Sequence, residues 1–251
     1  LILADRSSCE ASIWQLVESC SYQADLPVWS EITATAASVL DLGCGIGRVA
    51  RHLADGSRNV VGVDRDPDMV DDLNRLAVED GVSAVTGDVS EVASIELGRQ
   101  HFDAIIAPQQ LLHIVGGEKM RLRLLAGLKE RLSPEGIAAF AISEIVDPKS
   151  QSLEILPDVR EIDDWTYASR PVAVEADPDS LTVVRLRQIV GPEGSLDESH
   201  DSITLDLIDR HSLATELAVA GFEVIDLIDL AETDRHIASI ILIVRHASGK
   251  P

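Results

Sequence analysis

An acid followed by three alternating glycines, Asp41-Leu42-Gly43-Cys44-Gly45-Ile46-Gly47, is the stretch of this sequence best fitted to hold a ligand. Glycine reaches positive φ and lets a ligand lie against the backbone with no Cβ in the way. An apolar run (Ala37, Val39, Leu40, Leu42) enters the turn, and a helical pattern, Arg48-Val49-Ala50-Arg51-His52-Leu53-Ala54, leaves it. Strand, glycine turn and helix in that order put the turn at the carboxyl edge of a parallel sheet. The loop is expected to end on free N–H groups at the helix N-terminus, a site for a nucleotide-like ligand. A second acid, Asp64, ends the run Val60-Val61-Gly62-Val63. A carboxylate there can accept from both hydroxyls of a ribose.

Imidazole supplies the other chemistry. His113 closes Pro108-Gln109-Gln110-Leu111-Leu112-His113, which follows a fourth apolar run, Phe102–Ala107. A histidine in such a loop can take a proton near neutral pH; it could equally open a helix with ordinary hydrogen bonds. His236 and His200 are the weaker candidates. The three cysteines, Cys9, Cys20 and Cys44, are odd in number and lack metal-ligand spacing. No metal is expected, and a reducing, cytoplasmic setting is the simplest reading.

The identity of the nucleotide is the next decision. Gly45-x-Gly47-x-x-Ala50 with Asp64 also satisfies the loose dinucleotide fingerprint, so a nicotinamide-dependent oxidoreductase is a rival. Neither Tyr22 nor Tyr167 has a lysine four residues on, which removes the Tyr-x-x-x-Lys dehydrogenases. The full pattern Asp-x-Gly-x-Gly-x-Gly resembles the first motif of the class I S-adenosylmethionine-dependent methyltransferases. The resemblance covers roughly residues 37–145 and 209–246. It implies S-adenosylmethionine as cofactor, with Asp41, Gly43, Cys44, Gly45, Gly47, Asp64 and Arg65 around it. Asp88 and Val89 would read the adenine, and Ala107 and Gln109 would lie by the methionine end. In that family an N-terminal helical segment often closes over cofactor and substrate. Tyr22 and Trp29, with Gln110, would then line the substrate mouth, although Tyr22–Trp29 could also be a helix-packing contact. His113 is the candidate base. Pro108–His113 is not the Asn/Asp-Pro-Pro-Tyr/Phe signature of enzymes that methylate nucleic-acid amino groups. The implied activity is methyl transfer to O or N of a small molecule, such as a specialised metabolite. A protein that binds the cofactor without methyl transfer is a further alternative.

The elements needed to position these groups are legible in outline. Strands are expected at Val60–Asp64, Val82–Thr86, Phe102–Ala107 and Ile137–Ile142, alternating with helices. One helix is capped by Asp66-Pro67, and another carries Leu122, Leu124, Leu125, Leu128 and Leu132. That alternation means an α/β, doubly wound, mostly parallel seven-stranded sheet. From about residue 150, Trp165–Val174, Leu181–Val190 and a weaker Ser202–Ile208 alternate at period two, an antiparallel insertion before the last helix. In Leu181–Val190 the apolar Val184, Leu186 and Val190 share one face, and Arg185 and Arg187 share the other. The arginine side reads as a solvated face or as a site for an anionic substrate. Ser212–Ala220 is a helix closed by Gly221, and Phe222–Leu230 and His236–Val244 return as strands. The expected organisation is an N-terminal helical lid over 1–36, a cofactor domain over 37–147 and 209–251, and the insertion over 148–208.

The net charge of −22 sets the class of partner. A nucleic-acid binder needs a basic footprint, and four lysines among scattered arginines do not make one. Anionic membranes are disfavoured for the same reason, and no apolar run is long enough to span a bilayer. The chain opens Leu-Ile-Leu-Ala with neither an initiator Met nor a basic signal region, so a trimmed terminus is expected. The partners expected are a small-molecule acceptor and, as a homodimer, a second copy of the chain.

Overall fold

The computed structural model describes residues 4–54, 56, 58–143, 156–233 and 236–248. The expected boundary at 147/148 falls outside them. Two short helices, α1 (Glu10–Glu18) and α2 (Leu26–Ile32), precede the first strand. Then β1 (Ser38–Leu42), α3 (Arg48–Leu53), β2 (Asn59–Asp64), α4 (Pro67–Leu76), β3 (Val82–Thr86) and a 3₁₀ turn at Val89–Ser94 follow. Next come β4 (Phe102–Ala107), α5 (Leu111–Ile114), α6 (Gly117–Arg131) and β5 (Leu132–Ile142). The strands β6 (Asp158–Ile162), β7 (Trp165–Ala176), β8 (Ser180–Val190) and β9 (Leu196–Asp206) come next. The described chain ends with α7 (Arg210–Val219), β10 (Phe222–Leu230) and β11 (Ser239–His246).

The main sheet has the order β10-β11-β5-β4-β1-β2-β3, with β1 to β5 parallel and β11 antiparallel to both β5 and β10. Every residue of β1 is buried, as a central parallel strand covered on both faces must be. One face packs on leucines of α6 and α7, Leu124, Leu125, Leu128, Leu213 and Leu217. The other packs on α2, α3 and α4 through Trp29, Val49, Leu53, Val70 and Leu73. Chain order reverses between β4 and β1, and in an open α/β sheet the crevice at that reversal is where a ligand sits. The Asp41–Gly47 turn and the Pro108–His113 loop both leave from it.

The second sheet, β6-β7-β8-β9, is antiparallel throughout. Its strand β6 was not expected, and β9 begins earlier than the Ser202–Ile208 pattern. The last strand begins at Ser239 rather than His236, and β5 begins at Leu132 with a register shift against β4. The sheet also faces the other way from either expectation for its arginines. Arg185 and Arg187 turn toward α1 and share Glu18: Arg187 donates to both its carboxylate oxygens (2.8 and 2.9 Å), and Arg185 lies 3.4 Å away. Arg185 also reaches Asp158 (2.6 Å). Five donors on a rigid guanidinium favour such shared carboxylates over open solvent.

A buried ion cluster joins this sheet to the core. Arg121 on α6 donates to Glu216 of α7 (2.7 and 2.9 Å) and to Asp206 at the end of β9 (3.0 Å). Both Arg121 and Glu216 side chains are more than nine-tenths buried. An Arg121→Met substitution would leave Glu216 buried without its cation, and we expect it to lower unfolding free energy by about 3–5 kcal/mol. Urea denaturation checks this: the midpoint should fall while the slope stays constant.

Candidate active site

The turn after β1 takes its shape from three left-handed glycines, Gly43 (φ 64°), Gly45 (φ 50°) and Gly47 (φ 84°). Each amide of the turn already has an acceptor inside the protein. Gly43 and Cys44 donate to the Val63 carbonyl (2.8 and 3.1 Å) and Gly47 to the Cys44 carbonyl (2.9 Å). Gly45 donates to Asp64 Oδ2 (2.8 Å) and Ile46 to Gln15 Oε1 (2.7 Å). The turn's own amides are therefore taken, and the expected free N–H groups are left to the N-terminus of α3, which begins at Arg48. What the turn offers is a bare Cα surface, since its amides serve to lock β1, β2 and α1 together.

Asp41 is 1% exposed. It accepts from the Ala50 amide in the first turn of α3, while its Oδ1 has no hydrogen-bond partner among the described residues. Burial raises its pKa from 3.8 to about 7, against the pull of the nearby Arg48 guanidinium. A buried carboxylate with an orphan oxygen is costly unless a donor arrives to fill it. Asp64, at the end of β2, holds the Gly45 amide on one oxygen and the Asp66 amide (3.1 Å) on the other. Each oxygen keeps a second lone pair. Asp66 caps α4, with Pro67 in the first turn, as its sequence implies.

The remaining candidate cofactor residues spread along the same edge. Asp88 is exposed after β3 and accepts from the Ser90 amide (2.8 Å); Ser90, through its hydroxyl and then its amide, holds that carboxyl below the usual range. Val89 beside it is buried, and Arg65 is exposed. Cys44 turns inward against Gly62, where a Cβ would meet its sulfur at 2.5 Å. Burial pushes that thiol well above its ordinary pKa, so it stays neutral. Ala107 is fully buried at the end of β4, and Gln109 after it takes a left-handed φ of 56°. Gln110 then opens α5.

The N-terminal helical segment places the two aromatic candidates differently. Trp29 is 0% exposed, packs into the core beneath the sheet and donates to Asp25 (2.8 Å). It does not line a mouth, because α2 turns its apolar face onto the sheet. Tyr22, 9% exposed, packs beside Arg48, which donates to its carbonyl (2.8 Å), and its ring lies 4.3 Å from the His236 ring. Arg48 holds this strap through a buried bidentate pair with Asp25 (2.6 and 2.8 Å).

His113 is 1% exposed, and backbone groups hold both of its nitrogens. Nδ1 donates to the Asp206 carbonyl (2.7 Å), and Nε2 accepts from the Ser143 amide (3.0 Å). Burial lowers its pKa, so the ring is neutral and has no lone pair left for an acceptor's proton. Its position beside the edge matches the sequence reading; the expected free base does not. His113 ties α5 to the ends of β5 and β9. His200, the other weak candidate, lies on β9.

Sequence reasoning missed Gln15, Glu18, Asp25 and Arg48. A narrow cleft brings Gln15, Ser19 and Arg48 together with Asp41, Gly43 and Gln109. Nothing in the spacing of α1 could reveal the partners of Gln15 and Glu18, 31 to 169 residues away in the chain.

Among the described residues no cluster of three or more His, Cys, Asp or Glu could hold a metal ion, and no helix is long and apolar enough to cross a membrane. The methyltransferase domain profile matches residues 39–136. The cypemycin N-terminal methyltransferase of a Streptomyces species is 30% identical over 137 residues, and that match spans 53% of this chain and 54% of that protein. The chain thus spans about half the length of the curated relative it matches. Among solved structures, the CcbJ methyltransferase of Streptomyces caelestis superposes with a TM-score of 0.70 at 21% identity, over 99% of this chain and 100% of that one. The sugar N-methyltransferase KedS8 from a Streptoalloteichus species gives 0.72 at 19% identity, over 99% and 97%. CalS10, an amino pentose methyltransferase of Micromonospora echinaspora bound to S-adenosylmethionine, gives 0.71 at 20% identity, over 95% and 96%. The match to the methyltransferase domain profile over 39–136 and the seven-stranded sheet give the chain the Rossmann-like fold shared with these neighbours.

Proposed function

We propose that this protein transfers the methyl group of S-adenosylmethionine to an amine nitrogen of a small molecule. The observation that carries the reading is the closed glycine turn beside a buried acid with an orphan oxygen. A dinucleotide needs open amides for its pyrophosphate, and the five amides from Gly43 to Gly47 are all consumed. An amino-acid end with an ammonium suits Asp41, whose Oδ1 lacks a donor.

The residues present fit the cofactor. Asp41 would take its ammonium, the spare lone pairs of Asp64 its ribose hydroxyls, and Asp88 with the Val89 amide its adenine edge. When bound, the cofactor supplies an activated sulfonium methyl. The protein's remaining task is to hold the acceptor about 3 Å from that carbon and in line. We assign this to the edge formed by Gln109, Gln110 and Tyr22. With His113 committed to the backbone, the acceptor's proton is left to water in the cleft. Nitrogen is favoured over oxygen because the names of several similar proteins specify it: a sugar N-methyltransferase, a glycopeptide N-methyltransferase and the cypemycin N-terminal methyltransferase. The charge of −22 suits cationic amines and not nucleic acid. Three free thiols suit a reducing cytoplasm. Every group assigned here comes from one chain, so a homodimer is not needed to complete the site.

Mass spectrometry with a panel of amino sugars and short peptides tests this. Formation of S-adenosylhomocysteine together with an N-methyl product is expected, and matched hydroxyl compounds should remain unconverted. Calorimetric binding of a nicotinamide dinucleotide, with none of S-adenosylmethionine, would overturn the reading.

A further inference from the structure

We propose that helix α1 couples the cofactor's amino-acid end to the second sheet, Gln15 reading that end and Glu18 setting the sheet. The proposal rests on the cofactor assignment above. Gln15 and Glu18 are three residues apart, neighbours on one helix face. Gln15 Oε1 accepts from the Ile46 amide at 2.7 Å. It can do so only because residue 45 is glycine: a Cβ there would stand 2.1–2.5 Å from the Gln15 carboxamide. The other half of that carboxamide, Nε2, makes no hydrogen bond among the described residues, and Gln15 lines the same cleft as Asp41.

An amino-acid end carries a carboxylate as well as an ammonium. Asp41, the one acid lining the cleft, suits the ammonium, which leaves the carboxylate to the cleft's donors. The Arg48 guanidinium is bound in two places to Asp25. Of the cleft's neutral side-chain donors, Ser19, Gln109 and Gln15, Gln15 is the one already tied to the glycine turn, so its N–H taking the carboxylate would hold α1 against that turn.

One turn on, Glu18 carries that position to the second sheet. It accepts from Ser169 of β7 (2.7 Å) and from Arg187 of β8. Trp14 on the same helix meets the Tyr167 ring edge-on at 5.6 Å and lies under Arg187 at 5.0 Å. Ile13, Leu16 and Val17 share one apolar cluster with Ile46 of the glycine turn and with Ile162 and Tyr167 of the sheet. The helix thus touches both sites through buried or nearly buried groups. Two sites that bias one element are linked reciprocally.

The test uses the full chain with two probes, S-adenosylhomocysteine and methylthioadenosine, which lacks the amino-acid end. Hydrogen exchange read by mass spectrometry should show both probes protecting the Asp41–Gly47 turn. Only S-adenosylhomocysteine should also protect β7 and β8. In Gln15→Ala the dissociation constant for S-adenosylhomocysteine should rise about tenfold and that for methylthioadenosine less than about twofold, the difference of one hydrogen bond to a charged group. In Glu18→Gln, and in Glu18→Asp as a milder variant, protection of the turn should persist while protection of β7 and β8 is lost. Equal protection of the sheet by both probes, or its survival in a folded Glu18 variant, would overturn the coupling. If neither probe protected the turn, the cofactor assignment itself would fail.

Discussion

Affinity for S-adenosylmethionine is expected to rise about tenfold per pH unit as pH climbs toward 7 and then to level off, the slope of one released proton. The group responsible is Asp41, whose pKa burial raises to about 7. Below that pH the free protein holds Asp41 neutral, and its Oδ1 faces an ammonium without a countercharge. Above it the carboxylate is present, and pairing adds a charge-assisted hydrogen bond in a low-dielectric site. The sign for stability is opposite. A raised folded pKa stabilises the free protein fully below the unfolded value of 3.8, and this contribution is lost as pH rises through about 7. Asp41→Asn should bind the cofactor at least about a hundredfold more weakly at pH 8, the loss expected for a buried charged partner. The pH slope should also vanish. Calorimetry in buffers of different ionisation enthalpy reads the released proton directly. A native-like slope in the folded variant would show that another group carries it.

The second large effect concerns His113, whose removal should act on stability before chemistry. His113→Ala empties a buried site and strips partners from the Asp206 carbonyl and the Ser143 amide. We expect a loss of roughly 3 kcal/mol or more in unfolding free energy, combining a cavity with two unsatisfied backbone groups. The pH behaviour identifies the cause. Burial lowers the His113 pKa below its ordinary 6.5, so the native ring stays neutral while the unfolded ring takes a proton. Native stability from this group is therefore present above about pH 6.5 and is lost as pH falls through it. That part of the acid sensitivity should disappear in His113→Ala. Urea titrations of both proteins at pH 7.5 and at pH 5.5 measure it. Loss of turnover at unchanged stability would instead restore the base role.

The sequence alone was enough to identify the sheet, its carboxyl edge and the acids on it. Asp41 and the three glycines were legible because strand, turn and helix succeed one another within ten residues, and Asp64 because it ends the next apolar run. Their roles follow from local backbone chemistry: positive φ, a carboxylate at a strand end, and Asp66-Pro67 opening a helix. Tertiary structure decided everything that depends on partners distant in the chain. The acceptors that take the amides of the glycine turn, Val63, Asp64 and Gln15, lie outside the motif. His113 looked like a base because Asp206 is 93 residues away. The Arg185 and Arg187 side of β8 looked solvated because periodicity reports which residues share a face, not which face turns inward. Glu18, 169 residues from Arg187, makes the charged face the inner one. Charge pairing between remote elements leaves no period in a sequence, so only the folded chain could reveal it.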